Sequence, residues 1–120
     1  MGQINPNGTY RGRVYDAGES HEATLKITSS DPQTGNISQG SMEYYGLGFN
    51  VNGSFTYENL TDESAVSFNL RAEAGSSEHN VLSISLRSPD RNYSNLDGTV
   101  RVDRGGPNVG KTYNVTFTKS

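Results

Sequence analysis

Apolar and polar residues alternate along most of this chain, and no segment keeps a helical period for three turns. Alternation puts successive side chains on opposite faces of a strand, one face buried and one wet. Eight stretches carry the pattern: Thr9–Tyr15, Glu22–Thr28, Asn36–Tyr45, Leu47–Tyr57, Ser64–Ala72, Asn80–Arg87, Asn95–Val102 and Lys111–Thr118. The clearest is Leu47–Tyr57, where Leu47, Phe49, Val51, Gly53, Phe55 and Tyr57 share one face and Asn50, Asn52, Ser54 and Thr56 the other. In Asn36–Tyr45 the apolar phase switches between Ile37 and Met42, which predicts a β-bulge near Gly40. Turn-rich pieces separate the stretches, among them Asp16–Ser20, Asp31–Gly35, Gly75–Ser77, Ser88–Asp90 and Gly105–Asn108. Glu58–Glu63 has room for a single helical turn.

Eight short strands on short links predict an all-β, antiparallel, up-and-down meander in one domain spanning residues 1–120. A sheet with one apolar face must hide that face. Closing into a barrel does so and removes both exposed edges. Gly12, Gly53 and Gly98 fall on the apolar phase. Glycine weakens a strand, so a tight bend of a closed wall, or room for something inside, is expected there. The alternative architecture is a two-sheet β-sandwich.

Composition narrows the function classes. Ten Lys and Arg against 13 Asp and Glu give a net charge of −3, unlike the basic face of a nucleic-acid binder. No apolar run is long enough to cross a bilayer as a helix. The absence of Cys excludes disulfides, thiolate metal sites and a thiol nucleophile. The opening Met1-Gly2-Gln3-Ile4 does not look like a signal peptide, so a cytosolic chain or a secreted or periplasmic one without its leader is expected. Six Asn-x-Ser/Thr triplets, at Asn7, Asn36, Asn52, Asn59, Asn92 and Asn114, fit an outer face rich in amides and hydroxyls.

The strings that carry chemistry are few. Gly105-Gly106-Pro107-Asn108-Val109-Gly110-Lys111-Thr112 satisfies the phosphate-loop pattern. That loop needs a helix behind it, and Tyr113–Thr118 alternates like a strand, so a hairpin turn is expected instead. His21 and His79 have acidic neighbours but no third ligand in view, and they read as surface residues. No nucleophile sits beside a recognisable base, so neither catalysis nor a cofactor is expected. Tyr10, Tyr44, Tyr57 and Tyr113 lie on the apolar phase of four strands. They read as core rings with hydroxyls bonded near the rims, or as the wall of a cup for a small polar ligand. Tyr15, Tyr45 and Tyr93 fall off that phase and are expected outside.

Gly8-Thr9-Tyr10 followed by Asp16–Ser20 and Leu25-Lys26-Ile27, then Gly35–Met42, Gly48–Val51 with Gly53-Ser54-Phe55, and Thr116–Lys119 together resemble the avidin/streptavidin family. More loosely they resemble avidin-like barrel lectins of cyanobacteria. The resemblance implies a closed eight-stranded barrel with its ligand in or at the mouth. It places Tyr10 where the family has a tryptophan, Asp16 and Ser20 at the loop asparagine and serine, and Met42 at the strand tyrosine, with Tyr44 two residues on. It implies the barrel and not biotin, because the chain has no Trp and an ionised Asp16 cannot donate a hydrogen bond.

The expectation is therefore a non-catalytic module that holds a small polar molecule or glycan, with no metal, at Tyr10, Asp16, Ser20, Met42, Tyr44, Tyr57 and Tyr113. The alternative is a protein-interaction or inhibitor barrel acting through the Asp103–Gly110 turn, with Arg104 at its base; a small barrel enzyme ranks behind both. Assembly into a homo-oligomer is expected, and contact with nucleic acid or membrane is not.

Overall fold

A computed structural model describes residues 6–16, 18–31, 33–44, 46–58, 65–74, 80–89, 93–105 and 109–119; the backbone but not the side chain is described at 16 and 47. Eight strands follow one another: β1 (Gly8–Asp16), β2 (Glu19–Asp31), β3 (Asn36–Tyr44), β4 (Leu47–Tyr57), β5 (Val66–Glu73), β6 (Val81–Ser88), β7 (Asn95–Arg104) and β8 (Thr112–Lys119). Each pairs antiparallel with the next, and β1 pairs with β8, so the sheet is a closed up-and-down barrel. The sandwich alternative is thereby set aside.

The alternation explains the wall. Outward positions are mostly Thr, Ser, Asn and charged residues, with Tyr15 also exposed as expected, and inward positions form one continuous core. Burying each Val, Leu, Ile or Phe side chain contributes about 1.5–3 kcal/mol. Inward Phe49, Phe55, Phe68 and Phe117 all belong to this core, and Tyr57 packs against it. Phe55 stacks on Phe68 at 5.7 Å and meets Tyr57 edge-on at 5.9 Å.

Gly12 and Gly98 show which of the two expected reasons applies. A Cβ on Gly12 would run into the Thr116 carbonyl of β8, and one on Gly98 into the Ser85 carbonyl of β6. Neighbouring backbones occupy that space, so these glycines mark tight folds of the wall. The bulge near Gly40 is present. Between the Ile37–Gly53 and Gly40–Val51 pairs, β3 carries Ser38 and Gln39 where β4 carries only Asn52. A further irregularity lies between Ile27 and Ser30 of β2.

Three expectations change. Asp16–Ser20 is no loop: Asp16 pairs with Glu19 and Tyr15 with Ser20, leaving a two-residue turn whose Gly18 has a φ of +94°. Asp103 and Arg104 belong to β7, which shortens the β7–β8 turn. Tyr93, expected outside, is fully buried. The helical turn expected at Glu58–Glu63 falls, beyond Glu58, outside the described residues, as do Tyr45 and His79.

Candidate functional site

The strand directions sort the expected site residues by barrel end. The β1–β2, β3–β4, β5–β6 and β7–β8 turns form one end, and the other connections, with residue 6, form the opposite end. Asp16, Ser20, Tyr44 and Tyr113 lie toward the first end, Tyr10 and Tyr57 toward the second, and Met42 is buried between. Tyr10 and Asp16 are six residues apart on one strand, about 20 Å at strand rise. The seven residues therefore do not converge on one mouth.

At the second end Tyr10 is a plug. Its hydroxyl donates to the Pro6 carbonyl at 2.6 Å, and burial raises the phenol above its ordinary pKa of 10.0. Tyr93 covers the same end from the β6–β7 connection, edge-on to Phe68 at 5.8 Å. At the first end Tyr44 is half-buried against the core, Tyr113 is buried, and the Ser20 hydroxyl accepts from Arg13 at 3.3 Å.

Residues 106–108 of the Gly105–Thr112 string lie outside the described residues, and the flanking backbone is paired as a hairpin. The Gly110 amide donates to the Val102 carbonyl at 2.7 Å and the Val102 amide to the Lys111 carbonyl at 3.0 Å. A strand follows at Thr112, so no helix N-terminus faces the turn. His21 is half-buried on β2, 3.9 Å from Glu19.

Two depressions lie on the outer wall. One, of about 580 Å³, sits over β1–β3 and is lined by Thr9, Arg11, Arg13, Glu22, Thr24, Lys26, Ser41 and Glu43, with Gly12 and Ala23 completing it. Register explains the grouping: Thr9 faces Lys26 and Lys26 faces Ser41, Arg11 faces Thr24 and Thr24 faces Glu43, and Arg13 faces Glu22. Facing side chains in such ladders have Cβ atoms about 4.5–5.5 Å apart. A second depression, of about 420 Å³, sits over the bulge and is lined by Thr28, Ser38, Gln39, Asn50 and Asn52 with Gly40 and Val51. Ser41 lines both. The bulge bends β3 and produces this hollow. Thr28 donates to the Gln39 carbonyl and Ser38 to the Ser29 hydroxyl, each at 3.1 Å, which fixes the surrounding groups.

Carboxylates on the remaining wall are engaged. Asp103 accepts from Ser83, and from Arg101 at 2.8 Å, which lowers its pKa with the Ser83 bond the larger cause. Glu58 accepts from Arg87 at 2.7 Å and from Ser67 at 3.1 Å, and is lowered chiefly by Arg87. Both hold their charge and are poor proton donors near neutral pH.

Sequence reasoning placed none of Arg11, Arg13, Thr24 and Lys26 in a site. The bulge at Gly40 was the one available signal. In comparisons with known proteins, the chain matches no family model, no curated protein and no solved structure.

Proposed function

We propose that this barrel is a non-catalytic binding module that takes a small polar ligand or glycan on the outer wall of β1–β4. The observation that carries the reading is the pair of adjoining depressions, about 580 and 420 Å³, both lined by Ser41 and almost wholly by polar side chains. Each falls within the usual size of small-molecule sites, roughly 300–1,000 Å³. Hydroxyls, guanidinium groups and carboxylates in one hollow, with hydroxyls and amides in the next, suit a polyhydroxylated molecule, which offers donors and acceptors together. The wall is held by strand ladders, so little ordering is needed on binding.

The same reading moves the ligand away from the axis. Phe49, Phe55, Phe68 and Phe117 occupy the described interior, and the Tyr10 hydroxyl is already bonded. Resemblance to avidin-like barrels supports the shape of the wall in this proposal and no biotin site.

Amide chemical-shift mapping with a panel of oligosaccharides tests the proposal. Shifts confined to Thr9–Arg13, Glu22–Thr28, Ser38–Glu43 and Asn50–Asn52 are expected. A panel that moves none of these amides overturns it.

A second reading rests on Val109, which is 53% exposed between β7 and β8, with exposed Arg104 at the end of β7. An exposed apolar side chain is a contact that a protein partner can cover. Capture of a partner that is lost on Arg104→Ala, with the outer depressions inert to sugars, would favour this reading instead.

A further inference from the structure

Cations on two parts of this wall are treated differently. Along β5–β7 three of the four described arginines have a carboxylate: Arg71 with Glu73 at 2.7 Å, Arg87 with Glu58 at 2.7 Å, and Arg101 with Asp103 at 2.8 Å, with Arg104 at the end of β7 the exception. Over β1–β3 the picture changes. Arg13 reaches Glu22 only at 3.9 Å, and among the described residues Arg11 and Lys26 make no ion pair. Arg11 faces Thr24 and Lys26 faces Thr9, so the two cations are diagonal neighbours across β1 and β2. Such diagonal positions lie about 7–8 Å apart, a span that long side chains bridge through one shared anion. Three of the chain's ten basic residues thus line one hollow on a protein of net charge −3.

From this we infer that the β1–β3 depression selects a saccharide bearing a carboxylate, with the carboxylate seated between Arg11 and Lys26. The inference rests on the outer-wall reading above and adds the ligand class. Guanidinium and ammonium donors make charge-assisted hydrogen bonds to a carboxylate, stronger than those to a neutral hydroxyl. Thr9, Thr24 and Ser41 stand beside them for ring hydroxyls. Glu22 and Glu43 flank the cations, accept from hydroxyls and repel a ligand carrying many closely spaced charges. That disfavours a nucleic-acid backbone or a densely sulfated chain. The neighbouring depression carries amides and hydroxyls and no charge, which suits an uncharged sugar ring next in line. The geometry favours an oligosaccharide in which a uronate ring adjoins a neutral one. Ala23 and Val51 are the only described lining residues with wholly apolar side chains.

The test compares two probes on the full chain by calorimetry and amide mapping. One is an oligosaccharide with alternating uronate and neutral rings. The other is the same oligosaccharide with its carboxylates reduced to alcohols. The uronate form should bind about tenfold or more tightly, and should weaken as salt rises above about 0.15 M. Arg11→Gln with Lys26→Gln should abolish the difference between the probes. Both residues are exposed, so the thermal melt should stay in place. Arg71→Gln on the other wall should leave both affinities unchanged. Equal binding of the two probes at the β1–β4 amides overturns the charge selection and leaves the polar-ligand reading standing. Failure of both probes to move those amides overturns the two together.

Discussion

Tyr93 meets Phe68 edge-on with ring centroids 5.8 Å apart, although Tyr93 belongs to no strand. Phe68 stacks in turn on Phe55, so a connection residue completes an aromatic file inside the barrel end that Tyr10 also fills. Tyr93 holds a φ of +56°, a left-handed conformation that a bulky residue adopts at a cost of about 1–3 kcal/mol. Burial of the ring offsets that cost. Tyr93→Ala should therefore destabilise the protein by about 3–5 kcal/mol, read as a lowered urea midpoint. A loss under about 1 kcal/mol would show that the ring does not close this end.

Gly98 and Gly12 give a prediction of a different kind, because the added atom meets backbone and not a yielding side chain. Gly98→Ala sets a methyl against the Ser85 carbonyl, and β6 and β7 must part locally. A loss of about 3 kcal/mol is expected, with faster amide exchange along the β6–β7 ladder. The control is Gly48→Ala, where a Cβ meets nothing within 4 Å and the change should stay within about 0.5 kcal/mol.

The buried phenol of Tyr10 predicts behaviour in alkali. Its folded pKa is raised above 10.0 by desolvation, so the unfolded chain releases the proton first. The resulting stabilisation is complete below pH 10.0 and is lost as pH rises toward the folded value. Urea midpoints measured across pH 10 should fall with one proton's slope in the wild type and less steeply in Tyr10→Phe. The variant should also lose about 1–3 kcal/mol at neutral pH, because the buried Pro6 carbonyl loses its donor.

Asp103 predicts the opposite limb. Its folded pKa is lowered by Ser83 and then Arg101, so its stabilisation is present above the ordinary value of 3.8 and fades as pH falls through the folded one. The site is partly exposed, and solvent screening holds the effect to less than about 1 kcal/mol. Asp103→Asn should flatten the acid side of the stability curve by that much. An unchanged curve would mean that the Ser83–Asp103–Arg101 contacts do not persist in solution.

Much of the wall was legible in the residues, because alternation is a local property. The strand Leu47–Tyr57 was read to its ends, and the phase switch between Ile37 and Met42 located the bulge. Tyr93 was misplaced for the same reason. A residue in a connection has no phase, and only the tertiary vacancy beside Phe68 draws it inward. The candidate site was harder still. Arg11 and Lys26 lie fifteen positions apart, and what makes them neighbours is the two-residue turn after Asp16. A turn one residue longer would shift the register and send Lys26 elsewhere. The resemblance drew attention to Asp16 and Ser20 as a ligand loop, whereas both are strand residues paired across that tight turn.

Seven of the eight strand pairings join neighbours along the chain, and only the β1–β8 seam, where Tyr10 meets Lys119, spans nearly its whole length. Loop-closure entropy makes that contact the costliest to nucleate, so the cylinder should zip from hairpins and seal last. A circular permutant that bridges β8 to β1 with a short turn, and reopens the chain between β4 and β5, should convert the seam into another hairpin and refold faster than the parent.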